Sequence, residues 1–162
     1  MNKILLIATH TIHFGIFLEH VVRIVPLAQM REIPKAPPWF IGLLELAGKG
    51  VPVMDLKLRL GLGQPSPYLL TTPMVVITWK GKQAGLIVED LPGVCEIIQG
   101  DLMQTELFTH DGPPFLGVAR TEANGCILVL DPARLLEIQL GEEETFSQEA
   151  MSQLIASLPL LT

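Results

Sequence analysis

Positive charge is scarce in this chain and nearly stops halfway along it. Of eleven lysines and arginines in 162 residues, only Arg120 and Arg134 lie beyond residue 82. The earlier nine are scattered among apolar residues without interleaved aromatics, so nothing points to a nucleic-acid surface. Apolar runs are short as well. None approaches the ~18 residues of a membrane-spanning helix, and Lys3 followed by Ile4-Leu5-Leu6-Ile7-Ala8 is too brief for a secretory signal and is broken by His10. These absences predict a cytoplasmic protein with no direct membrane insertion. Cysteine is limited to Cys95 and Cys126, with no paired-ligand spacing around them, and two buried free thiols are expected. With 49% hydrophobic residues and only 17% charged, a globally disordered chain is excluded.

The usual marks of catalysis are missing too. There is no Gly-x-Ser-x-Gly elbow; Ser66 lies in a proline-rich stretch, and Ser147, Ser152 and Ser157 lie near the C-terminus. Gly48-Lys49-Gly50 lacks the flanking glycine and Ser/Thr of a phosphate-binding loop and reads better as a hairpin. His10, His13 and His20 cluster, but residues three apart on a strand point to opposite faces, so turn-exposed histidines are the better account than a shared ion. No enzyme, metal or cofactor is expected.

What the chain does contain is a repeat. Phe14-Gly15-Ile16-Phe17-Leu18-Glu19 is echoed by Ala84-Gly85-Leu86-Ile87-Val88-Glu89, Gly15 matching Gly85 and Glu19 matching Glu89. Phe40-Ile41-Gly42-Leu43 returns as Phe115-Leu116-Gly117-Val118, and Val53-Met54-Asp55 as Val129-Leu130-Asp131. The offset stays between seventy and seventy-six, which predicts two similar halves. Charge divides the same way. Residues 1–82 carry nine Lys/Arg against four Asp/Glu, and residues 83–162 two against thirteen. Either the surface is merely solvated and asymmetric, or the basic half of one molecule is suited to the acidic half of a related partner.

Short Val/Ile-rich runs bounded by Gly, Pro or Asn predict strands over 4–7, 11–18, 21–25, 51–54, 74–79, 83–88, 94–98 and 126–130. Lys80-Gly81-Lys82 predicts a hairpin turn. Asp55 and Asp131 each precede a leucine-rich stretch and are expected to cap short helices over 56–60 and 132–136, with Pro132 at the favoured first position. A linker over 63–73, holding Pro65, Pro67 and Pro73, is expected to separate a first barrel over about 1–70 from a second over about 74–140. An apolar stripe from Phe146 to Leu158 predicts a C-terminal helix over about 146–158.

The stretch from Phe40 through Gly42, Gly48 and Val51-Pro52-Val53-Met54-Asp55-Leu56, together with Gly85-Leu86-Ile87-Val88-Glu89, resembles the CheW-like domain of bacterial chemotaxis. The likeness runs from about Ile4 to Leu140. It implies an all-β fold of two five-stranded SH3-like barrels, here followed by the C-terminal helix. It also implies a non-catalytic adaptor that joins a histidine kinase, through that kinase's own CheW-like regulatory domain, to the cytoplasmic tip of a chemoreceptor. Where the family reads Asn-Leu-Arg-Gly, this chain has Glu45, Leu46, Ala47 and Gly48, and Arg23 stands where the family often has an acid. The two charges could have exchanged places, with Arg23 facing Glu45. Carried over residue by residue, the partner surface is Arg23, Gly42, Glu45, Ala47, Gly48 and Val88, and Val22, Ile24, Leu43, Leu46 and Val88 are expected to line an apolar groove between the barrels. The alternatives are a kinase-only module in a pilus-motility or other phosphorelay, and a ligand-binding β-barrel.

Overall fold

The computed structural model describes residues 2–9, 12–27, 30, 32–97, 102–103, 114–121 and 125–137. Strands β1 (Asn2–Thr9) and β2 (Ile12–Phe17) form a hairpin, and a 3-10 turn over Leu18–His20 leads to β3 (Val21–Pro26). Strands β4 (Phe40–Leu46) and β5 (Lys49–Asp55) precede helix α1 (Leu56–Arg59). The same series follows again: β6 (Pro73–Trp79), β7 (Lys82–Ile87), β8 (Asp90–Ile97), β9 (Leu102–Met103), β10 (Phe115–Thr121), β11 (Gly125–Leu130) and α2 (Pro132–Leu135).

The sequence repeat is a structural repeat, but its copies are interleaved. One sheet has the order β8-β1-β2-β11-β10-β9 and the other β3-β6-β7-β5-β4. Each sheet therefore takes the first hairpin of one copy and the later strands of the other. The swapped hairpins dock by parallel pairing, Val129 beside Gly15 in one sheet and Val53 beside Gly85 in the other. The expected boundaries, a first barrel ending near 70 and a second starting near 74, are thereby corrected. The proline-rich stretch joins α1 to β6 within one sheet's share of the chain. The crossings between sheets fall at Leu18–His20 and at Val88–Glu89, the places marked by the repeated acid.

Alternation along the first strand of each copy explains how the sheets stack. Leu5 and Ile7 of β1, like Val75 and Ile77 of β6, point into a central cluster with Phe14, Leu86 and Phe115 from both sheets. Their neighbours point the other way. Ile4 and Leu6 pack with Ala119, Ile127 and Val129 of their own sheet, and Met74 and Val76 with Leu44, Val53 and Ile87 of theirs. A sheet with one face on its partner and the other on itself must curl, so both faces are apolar and neither strand shows simple polar alternation.

The two short helices form as their sequences predict. Asp55 Oδ1 accepts the Leu58 amide at 3.1 Å and Asp131 Oδ1 the Ala133 amide at 3.0 Å, with Pro132 opening α2. Strands β4 and β10 went unread in the sequence because a glycine interrupts each, at a register shift between Phe40 and Gly42 and between Phe115 and Gly117. The thiols depart from expectation: Cys126 is exposed and Cys95 only half-buried. They sit on β11 and β8, which are not paired with each other in the sheet, and both thiols are free. The helix expected over 146–158 lies outside the described residues.

Candidate partner-binding surface

Strand β3 ends its sheet, and its sequence Val21-Val22-Arg23-Ile24-Val25-Pro26 is apolar yet largely exposed. Val22 is 39% and Ile24 49% exposed, flanking the exposed Arg23. A register shift between Val21 and Arg23 where β3 meets β6 makes three successive residues, 22 to 24, face outward. On the matching strand of the other copy, β8, Val94 is 52% exposed. Apolar side chains held on a rigid sheet edge beside a cation suit a protein contact better than solvent.

A second projecting feature is the β4–β5 hairpin. Its two-residue tip is Ala47-Gly48, with φ of 51° and 79°, the left-handed pair that a type I′ turn requires. Glu45 Oε1 accepts the Gly48 amide at 2.9 Å, so the carboxylate ties down its own turn. Lys80-Gly81, with φ of 50° and 81°, closes β6 to β7 in the same way.

The six residues expected to form the partner surface are thus divided. Arg23, Ala47 and Gly48 are exposed and Glu45 is half-buried. Gly42 and Val88 are buried, Val88 being 2% exposed within the central cluster, and neither offers a side chain or a site to a docking protein. Of the expected groove lining, Leu43 is core as well, 3% exposed, whereas Val22 and Ile24 are on the surface. Periodicity could not distinguish them, because β3 and β4 are both apolar strands at sheet ends and only the register shift in β3 turns residues 22 to 24 outward. The proposed pairing of Arg23 with Glu45 is not present. They lie on the two opposite ends of the strand order, and among the described residues no ion pair joins them.

Sequence reasoning missed a polar cluster beside α1. Tyr68 donates its hydroxyl to Asp55 Oδ2 at 2.7 Å, and Lys57 donates to Ser66 Oγ at 2.7 Å. Burial, then the hydrogen bond to Asp55 and its charge, push the Tyr68 hydroxyl well above its ordinary titration range. Burial lowers the Arg59 guanidinium, partly offset by Glu137, and Arg59 lies 5.2 Å from the centre of the Trp39 ring. One signal was available: Lys57 stands where the second copy has Ala133, so the repeat is broken at that position by a charge.

Among the described residues no group of three or more potential ligands is placed to hold a metal ion, and no helix is long and apolar enough to cross a membrane. A family model described as the CheW-like domain matches residues 3–139. The chemotaxis protein CheW of Thermotoga maritima is 22% identical over 120 residues, spanning 74% of this chain and 78% of that protein. The crystal structure of the scaffolding protein TtCheW from Thermoanaerobacter tengcongensis matches with a TM-score of 0.75 and 26% identity, covering 87% of this chain and 96% of that one. With nearly its whole length accounted for by that family model, this chain belongs to the CheW-like domain family.

Proposed function

We propose that this protein is a non-catalytic cytoplasmic adaptor of chemotaxis-type signalling, joining the CheW-like regulatory domain of a histidine kinase to the cytoplasmic tip of a chemoreceptor. The observation that carries the reading is the exposed edge of β3, where Val22 and Ile24 stand out around Arg23. An edge strand of this kind offers apolar contact together with unpaired backbone groups. Charge supports a head-to-tail arrangement with a related domain. Residues 21–88, which make up the five-stranded sheet, carry eight Lys/Arg against three Asp/Glu, and the remaining residues carry three against fourteen. Among the described residues the five-stranded sheet's share of the chain carries seven Lys/Arg against three Asp/Glu and the other sheet's share three against six, and complementary contact between unlike units favours fast, oriented association.

A narrower role, binding the kinase without the receptor, is favoured by one observation. Ala47 occupies the hairpin tip, where the resemblance leads one to expect an arginine, and presents no charge there. Both roles are tested by titrating the purified chain separately with a kinase regulatory domain and with a receptor cytoplasmic fragment, using calorimetry. Binding to both, weakened about tenfold or more by Ile24→Asp, is the expected result, since a charge at a buried contact costs at least that much. Binding to the kinase alone selects the narrower role. Binding to neither, at low salt, overturns the adaptor reading.

A further inference from the structure

The described residues include three buried polar or charged side chains, Thr9 at 1%, Asp55 at 4% and Lys57 at 7% exposure, and all three line one pocket. The pocket, about 230 Å³, opens where the end of β1 meets the ends of β5 and β7 beneath the connection over 66–72. Its polar groups are unequally satisfied. Asp55 accepts from Leu58 and from Tyr68, which occupies both oxygens. Lys57 has three N–H donors, one of which meets the neutral Ser66 hydroxyl at 2.7 Å, and among the described residues no carboxylate pairs with it. A buried ammonium lacking a counter-charge is strongly unfavourable unless an anion reaches it. At the rim Glu89 is exposed and makes no hydrogen bond or ion pair among the described residues. Leu69 and Ile87 add apolar surface to the same lining.

A buried cation without an ion pair, an exposed carboxylate and apolar surface in one pocket lining are complementary to a zwitterion inserted carboxylate first. We infer that this pocket binds a free α-amino acid with a small apolar side chain, its carboxylate on Lys57 Nζ and Ser66 Oγ and its ammonium toward Glu89. The volume admits a molecule of that size. Because Thr9 belongs to one sheet and Asp55 to the other, an occupant would touch both sheets where they meet. The inference is independent of the adaptor reading, which concerns the β3 edge.

The test is a titration of the isotopically labelled full chain with L-valine, followed by amide chemical shifts, with isovalerate and isobutylamine as controls. Saturable shifts at residues 55–57, 66–72 and 87–89 are expected for valine, with weaker binding of isovalerate and none of isobutylamine. Lys57→Met should weaken valine binding by about tenfold or more, the loss anticipated for a hydrogen bond to a charged group, while the dispersed spectrum shows that the fold is kept. Glu89→Gln should bring valine down to the level of isovalerate. An absence of saturable shifts at these residues, or undiminished binding by folded Lys57→Met, overturns the inference. Equal binding of valine and isovalerate overturns the zwitterion assignment.

Discussion

Gly15 and Gly85 occupy the same position in the two copies of the repeat, yet each lies in the sheet completed by the other copy. Gly15 sits beside Val129 and Gly85 beside Val53, at the parallel seam where an exchanged hairpin docks. A side chain at either place would enter packed apolar atoms from a neighbouring strand. The glycines leave room for Ile4 and Met74 of their own hairpins and for Ile127 and Val53 across the seam, and both have ordinary backbone conformations.

The two seams should tolerate an added methyl group unequally. A Cβ at Gly15 would collide with Ile4 Cγ2 and come within 2.9 Å of Ile127 Cδ1, both on stiff β-branched side chains. At Gly85 it would meet Met74 Sδ at 2.7 Å and Val53 Cγ2 at 3.3 Å, and the methionine can swing aside. Gly15→Ala should therefore cost about 2–3 kcal/mol and Gly85→Ala about 1 kcal/mol. Urea unfolding of the two variants checks the order; equal costs would mean that neighbouring rigidity does not govern the seam.

Gly42→Asp should unfold the protein or come close to it. Gly42 is buried on β4 opposite Val53, beside the register shift that starts with Phe40. A carboxylate there, between the apolar clusters that take Leu43 and Leu44, loses its hydration, a penalty of several kcal/mol. The circular dichroism spectrum at room temperature is the measurement. A spectrum like that of the parent chain, together with lost partner binding, would restore Gly42 to the docking surface.

Replacing Ala47 by asparagine should stabilise the chain by about 0.5–1 kcal/mol. Ala47 holds φ of 51°, a conformation alanine adopts at a cost and asparagine adopts readily. The site is exposed at a hairpin tip, so no packing opposes the change. A rise in the thermal midpoint is expected, and a fall would show that the Ala47 methyl makes a contact of its own.

The sequence made the repeat, both aspartate caps and the Lys80-Gly81 hairpin legible, because each depends on residues close together in the chain. It could not show the exchange of hairpins. Gly15 and Gly85 have the same local pattern whichever copy completes their sheet, and only the pairing of Val53 and Val129 decides it. The partner surface was half legible for a related reason. Val22 and Leu43 look alike in apolar strands that both end the sheet, and what separates them is the register shift between Val21 and Arg23 that turns residues 22 to 24 outward while Leu43 packs in the central cluster. Lys57 and Tyr68 escaped notice because their partners, Ser66 and Asp55, are brought together by an irregular connection that no periodicity describes.

Stability should decline above about pH 10 and do so less steeply in Tyr68→Phe. The Tyr68 hydroxyl titrates higher in the folded protein than the ordinary tyrosine value of 10.0, owing first to burial and then to its bond with Asp55. Below pH 10 the phenol is neutral in both states and its contribution is fully present. As pH rises past 10 the unfolded chain loses that proton first, so unfolding releases protons and becomes more favourable. Removing the hydroxyl removes this dependence, and at neutral pH it also deprives the buried Asp55 Oδ2 of its donor, costing about 1–3 kcal/mol. Urea unfolding at pH 7 and over pH 9 to 11 separates the two effects. A variant destabilised at neutral pH with a flatter alkaline slope is the expected outcome. An unchanged slope would mean that Tyr68 ionises in the folded protein as freely as in the unfolded chain, and that its bond to Asp55 does not hold the 66–72 connection over the pocket.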